Sequence, residues 1–148
     1  MAMTQDIILE ARNVAVTFKV EGGFVNAVKN VNFALRKGET IAIVGESGSG
    51  KSVTARAIMR LLTKRATVAK DASIMIAGQD VLKLGESEMR KLRGSRVSMI
   101  FQEPMSSLNP VYTVGSQVCE VLHLHNKIAR AEARVKALQL LKEVQIPD

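Results

Sequence analysis

Gly45-Glu-Ser-Gly-Ser-Gly-Lys51-Ser52 has the spacing GxxxxGK[S/T], and its flanks decide how it is read. Before it runs Thr40-Ile-Ala-Ile-Val44, a short apolar stretch suited to a strand buried on both faces. After it comes Val53 to Leu62, where Val53, Ala57, Ile58 and Leu61 recur at helical spacing. A strand, a glycine-rich turn and a helix N-terminus predict a phosphate-binding loop. Glycines let the backbone curl so that successive N–H groups point at a triphosphate, and the helix end adds favourable partial charge. Lys51 is then placed to reach β- and γ-phosphates, and Ser52 to offer its hydroxyl to Mg²⁺.

At 148 residues, 47% of them hydrophobic and 24% charged, the chain has the size and composition of one globular domain. No apolar run approaches the roughly 18 residues of a membrane span, and the N-terminus does not read as a secretory signal. One cysteine, Cys119, excludes an internal disulfide and fits a reducing compartment. The net charge of +7 raises nucleic acid as a partner. Yet the lysines and arginines are dispersed, tryptophan is absent and aromatics are 3%, so the expectation is no nucleic acid.

Around the loop, Leu9, Ala11, Val14, Val16 and Phe18 suggest a first strand and Val31, Phe33 and Leu35 another, with a turn at Glu21-Gly-Gly23. Ser73–Ile76 reads as a short strand, 86–93 as a short helix with Gly94 past its end, and Val97–Phe101 as a second central buried strand. Pro104 to Pro110 cannot be regular. Beyond it, Val114, Val118, Val121 and Leu122 mark one amphipathic helix. Ala131, Val135, Leu138, Leu141 and Val144 mark another, stopped by Pro147. The expected organisation is an α/β nucleotide-binding core over 1–103 and the start of a helical part over 104–148. Gln102, just after the second central strand, falls where open α/β sheets bind ligands and could share a cleft with Lys51 and Ser52. Cys119 reads as a small packed hydrophobe, and His123 and His125 as surface or partly packed.

Taken together, Phe18, Gly45–Ser52, Met99-Ile-Phe-Gln-Glu-Pro104 and the helical start after it resemble the N-terminal part of an ABC-transporter ATP-binding subunit. The resemblance implies a P-loop ATPase core with an antiparallel N-terminal part and an incomplete helical subdomain. It implies adenine stacking on Phe18, phosphate contacts from Gly45, Ser47, Gly48, Ser49, Gly50, Lys51, Ser52 and Val53, and Mg²⁺ on Ser52 and Gln102. Lys51 and Gln102 are the candidate catalytic residues. The implied cofactors are ATP and Mg²⁺. The implied partners are transmembrane permease subunits, a second ATP-binding subunit and, indirectly, a periplasmic substrate-binding protein, at the cytoplasmic face of the inner membrane. Phe101 to Pro110 with Thr113-Val-Gly115 is similar to the branch importing dipeptides, oligopeptides or glutathione, with nickel importers as near relatives.

The signature of the type Leu-Ser-Gly-Gly-Gln, the apolar strand ending in Asp-Glu and the histidine beyond it are not among the 148 residues. The expectation is therefore a piece of such a subunit that binds ATP without hydrolysing it, with exposed apolar edges. The alternatives are a non-catalytic nucleotide-binding or interaction module, a soluble ABC ATPase not linked to transport, and a small-molecule kinase. A GTPase is disfavoured because Asn126-Lys127 does not continue into a guanine-reading motif.

Overall fold

The computed structural model describes residues 7–102, 108–126 and 128–146, which form two compact units, Met1–Met89 and Arg90–Asp148. The first is built on a hairpin of two long strands, β1 (Ile7–Val20) and β2 (Gly23–Arg36). Its turn is Glu21-Gly22, with Gly22 at φ 84° in the left-handed conformation that glycine supplies at the second central position of a turn. β3 (Ala66–Val68) and β4 (Ser73–Ile76) both pair with the other edge of β1, and β5 (Gln79–Asp80) pairs with β4. Every ladder among the described residues is antiparallel.

The hairpin is irregular where its sequence breaks alternation. Ala11 pairs Phe33, Val14 pairs Val31 and Val16 pairs Val28, so β1 carries an extra residue and β2 answers with one of its own. Asn13 (φ 52°) and Asn30 (φ 47°) take the left-handed conformations at these bulges, which asparagine tolerates. Asn32 ties them together: its Oδ1 accepts the Asn13 N–H at 2.7 Å, and its Nδ2 donates to the Asn30 carbonyl at 3.0 Å and to Asn30 Oδ1 at 2.9 Å. Ala11, Val14 and Val16 thereby stay buried, together with Val28, Ile74 and Ile76.

Helix α1 (Lys51–Ile58) packs on β1 and β2 through buried Thr54, Ala57 and Ile58. It ends four residues before Leu62. Leu61 N–H bonds to Arg56 O at 2.8 Å and Arg60 N–H to Ala57 O at 3.0 Å, with Arg60 at φ 51°. That pattern closes a helix through a left-handed residue. Arginine holds the position because its Nη1 donates to the carbonyls of Val81 (3.0 Å) and Leu84 (2.6 Å).

Two expected strands are not strands in this structure. Residues 40–44 and 97–101 form no ladder among the described residues, and Val44 and Ile100 are 90% and 93% exposed. Their apolar runs have the right composition, but a central strand exists only when neighbours on both sides satisfy its backbone.

Helix α2 (Glu86–Ser95) opens with the Gly85 N–H on Glu88 Oε2 at 2.9 Å. It runs through Gly94 instead of stopping before it. In the second unit the His125 ring lies against Gly94, where a β-carbon would overlap it. The glycine is there for close approach, not for termination.

Helices α3 (Val114–Asn126) and α4 (Arg130–Glu143) form a hairpin whose core is Leu122, Ala133 and Ala137, with Val118, Cys119 and Ile128 packed around it. The expected apolar face of α4 is thus corrected. Val135, Leu138 and Val144 are exposed, while the small residues Ala133 and Ala137, one turn apart, meet α3. Small side chains let helix backbones approach closely, and that contact outweighs the larger stripe. α4 ends where Ile146 N–H bonds Leu141 O at 3.1 Å across Gln145 at φ 59°; Pro147 lies outside the described residues, as does most of the 104–110 segment. His123 Nδ1 lies 2.9 Å from the Ile128 carbonyl, closing the turn between the two helices.

Candidate functional site

Residues 45–52 lead from the exposed 40–44 segment into α1. Gly48 (φ 81°) and Gly50 (φ 90°) occupy left-handed conformations that ordinary side chains resist. One further approach requires glycine: a β-carbon on Gly50 would meet the Ala27 carbonyl oxygen at 2.5 Å, whereas one on Gly45 would meet Ser49 Oγ at 2.7 Å, the end of an exposed side chain that can turn away. Ala27 is itself an extra residue in β2, between Val28 opposite Val16 and Asn26 opposite Thr17. This bulge is the second strand's contribution to the site, and no motif marks it in the sequence.

Gly50 caps α1 with no side-chain bond, and the first turn carries no acidic residue. The first helical bond is the Thr54 N–H to Gly50 O at 2.8 Å, reinforced by Thr54 Oγ1 on the same oxygen at 3.0 Å. The N–H groups of Lys51, Ser52 and Val53 precede it, so they are the donors that an anion at this helix end would meet. Ser52 is exposed on the first turn. The Lys51 side chain folds back over the loop, where Nζ donates to the carbonyls of Gly45 (2.8 Å) and Glu46 (2.6 Å) and to Ser49 Oγ (3.2 Å). Only the backbone of Glu46 takes part; its side chain is exposed.

Phe18 is half-buried in β1, opposite Val25 of β2 and Ala66 of β3. It stands two residues along β1 from Val16, whose partner Val28 has a methyl 3.2 Å from the place a β-carbon on Gly50 would take. Strand geometry makes that offset about 7 Å. Gln102 belongs to the second unit, exposed at the end of the irregular 97–102 stretch; Glu103 lies outside the described residues. So the first unit ties Gly45, Glu46 and Ser49 together through Lys51 and sets Gly50 against Ala27 and Val28, with Ser47 and Gly48 in the turn and Ser52 and Val53 on the helix. Among the described residues no cluster of histidine, cysteine or carboxylate groups could hold a metal, and no helix is long and apolar enough to cross a membrane.

The chain is 50% identical over 140 residues to the oligopeptide transport ATP-binding protein OppD of Bacillus subtilis (strain 168), covering 95% of this chain and 39% of that protein. It is 46% identical over 147 residues to the dipeptide transport ATP-binding protein DppD of Lactococcus lactis subsp. cremoris (strain MG1363), covering 99% and 42%. The chain thus spans about two fifths of the length of these curated relatives. Among solved structures, the dimeric post-hydrolysis state of the ATP-binding cassette MJ0796 bound to ADP and Pi superposes with a TM-score of 0.80 at 27% identity, covering 95% of this chain and 58% of that one. The model of the ABC transporter family matches residues 28–148, from the bulged part of β2 through the loop and the helices α1 to α4. On that match the chain belongs to the ABC transporter family.

Proposed function

We propose that this chain is the nucleotide-binding part of an ATP-binding subunit of a peptide importer. The observation that carries the proposal is the loop itself. Its left-handed glycines, uncapped helix end and folded-back Lys51 fit a triphosphate. Peptide cargo is supported by the OppD and DppD relatives, whose names state oligopeptide and dipeptide transport.

In this reading the backbone from Gly45 through Val53 holds the phosphates, with Ser47, Gly48, Ser49 and Gly50 shaping the turn and Lys51 neutralising charge on the β- and γ-phosphates. Phe18 lies on the strand beside the loop and stacks the base. Ser52 would offer its hydroxyl to Mg²⁺, and Gln102 is proposed as a second Mg²⁺ ligand on the resemblance to the family's glutamine loop. Bound Mg²⁺ supplies charge neutralisation across the phosphate oxygens. The partners are a second ATP-binding subunit and transmembrane permease subunits, with a periplasmic binding protein acting through them. The place of action is the inner face of the cytoplasmic membrane. The dimeric cassette to which the chain is similar supports the first of these partners.

These 148 residues hold neither an Asp-Glu strand end nor a Leu-Ser-Gly-Gly-Gln segment. We therefore propose binding without turnover by this chain alone. Titration with Mg·ATP tests both halves: saturable binding that is lost in Lys51→Ala, with no phosphate release, is the expected result. Binding that survives Lys51→Ala, or steady turnover that disappears with it, overturns the corresponding half.

A further inference from the structure

We infer that Ser49 is the acceptor that Lys51 gives up when a phosphate arrives, so that its hydroxyl sets part of the cost of nucleotide binding. The inference rests on the nucleotide-binding reading above. An ammonium has three donors and no more. In this structure all three are in use, on Gly45 O at 2.8 Å, Glu46 O at 2.6 Å and Ser49 Oγ at 3.2 Å. A phosphate oxygen can therefore join Lys51 only if one acceptor leaves.

The two carbonyls are the shorter bonds and belong to the backbone of the loop, which cannot move one of them without re-folding the turn. Ser49 Oγ makes the longest of the three bonds, sits on an exposed residue and can swing away about one torsion. It is the partner lost at least cost. The loop's lysine is thus held by an internal group that competes with the ligand, and the other two contacts keep it aimed at the phosphates throughout.

Removing the hydroxyl removes the competitor. Ser49→Ala is expected to bind Mg·ATP about threefold tighter than the wild-type chain, on the scale of one exposed hydrogen bond. Ser49→Cys, a weaker acceptor of similar shape, is expected to fall between the two. The measurement is the dissociation constant of Mg·ATP for the three 148-residue chains, with a thermal melt of each. A side chain that merely supports the loop would give the opposite sign: weaker binding together with a lower melting temperature. Unchanged or weaker binding by Ser49→Ala overturns the inference. Absence of saturable binding by the wild-type chain overturns the nucleotide reading itself, and this inference with it.

Discussion

The carbonyl oxygen of Ala27 stands 2.5 Å from the position a β-carbon on Gly50 would occupy, so the last glycine of the loop is fixed by a strand as well as by its own turn. Ala27 is in that place because β2 bulges there, gaining one residue over β1 between Val28 and Asn26. A bulge re-aims the backbone it interrupts. Here it seats the N-cap of α1.

Gly50→Ala therefore meets two obstacles, the left-handed φ of 90° and the Ala27 carbonyl. The expected cost is about 2–3 kcal/mol of stability, with loss of ATP binding. Gly48→Ala has the same backbone problem, but nothing lies within 4 Å of its would-be β-carbon, and its cost is expected to be smaller. Thermal melts and ATP titrations of the two variants check the ranking, which equal effects would refute.

Gly94 and His125 form a second close approach, between two exposed residues. In Gly94→Ala the imidazole must move aside, and alanine's helix propensity, about 1 kcal/mol better than glycine's, offsets that displacement, so the variant is expected within about 1 kcal/mol of wild type. Gly94→Ala/His125→Ala, with the ring truncated, removes the overlap and should be more stable than Gly94→Ala alone. If the double variant is no more stable than Gly94→Ala, the close approach costs the single variant nothing.

The hairpin of α3 and α4 depends on small residues at its seam. Ala137→Leu is expected to cost about 1–3 kcal/mol, because Ala137 is 2% exposed against Leu122 and its neighbours. Leu138→Ala, one residue along on the exposed side, is expected to change stability by less than about 1 kcal/mol. Chemical denaturation of both variants decides whether the buried face is the alanine face.

Asp80 gives a pH dependence. Burial pushes its carboxyl up, but the Lys83 ammonium at 2.9 Å and the Leu82 N–H at 3.2 Å outweigh that and hold it below its ordinary value. A depressed carboxylate contributes stability that is present above its unfolded pKa and fades as pH falls through the folded one. Asp80→Asn is therefore expected to be less stable than wild type at pH 7, by under about 1 kcal/mol because Lys83 is solvent-exposed. The gap should close below about pH 4. A gap that persists unchanged in acid would assign the effect to packing.

The elements legible in advance were those whose signals are local. Glu21-Gly-Gly23 turns the hairpin, Ser73–Ile76 is a strand, and the loop meets a helix at Lys51. What could not be read was decided by partners distant in the chain. Thr40–Val44 and Val97–Phe101 have the composition of buried strands, yet nothing among the described residues completes a ladder beside them. The leucine and valine stripe of α4 looked like its core face, but contact with α3 is made by Ala133 and Ala137, whose small size carries little hydropathic signal. Gly94 reads as a stop until His125 is known to lie on it. In the site, the glycines and Lys51 were legible from spacing alone, whereas Ala27 acts through its carbonyl, a group every residue has.

The two facing bulges at Asn13 and Asn30 have a consequence for how this ribbon can change length. One extra residue in β1 is cancelled by one in β2, so the strands regain step by Val16 and Val28. Deleting Asn13 alone would leave Ala11 and Val14 two residues apart, opposite Phe33 and Val31 as before, so the ladder would close over the loss with the buried valines on the same face. Deleting Asn30 would do the same between Val31 and Val28. The ribbon can thus shorten by one residue on either strand at these points, giving up only the local bend and the bonds that Asn32 makes to the asparagine removed.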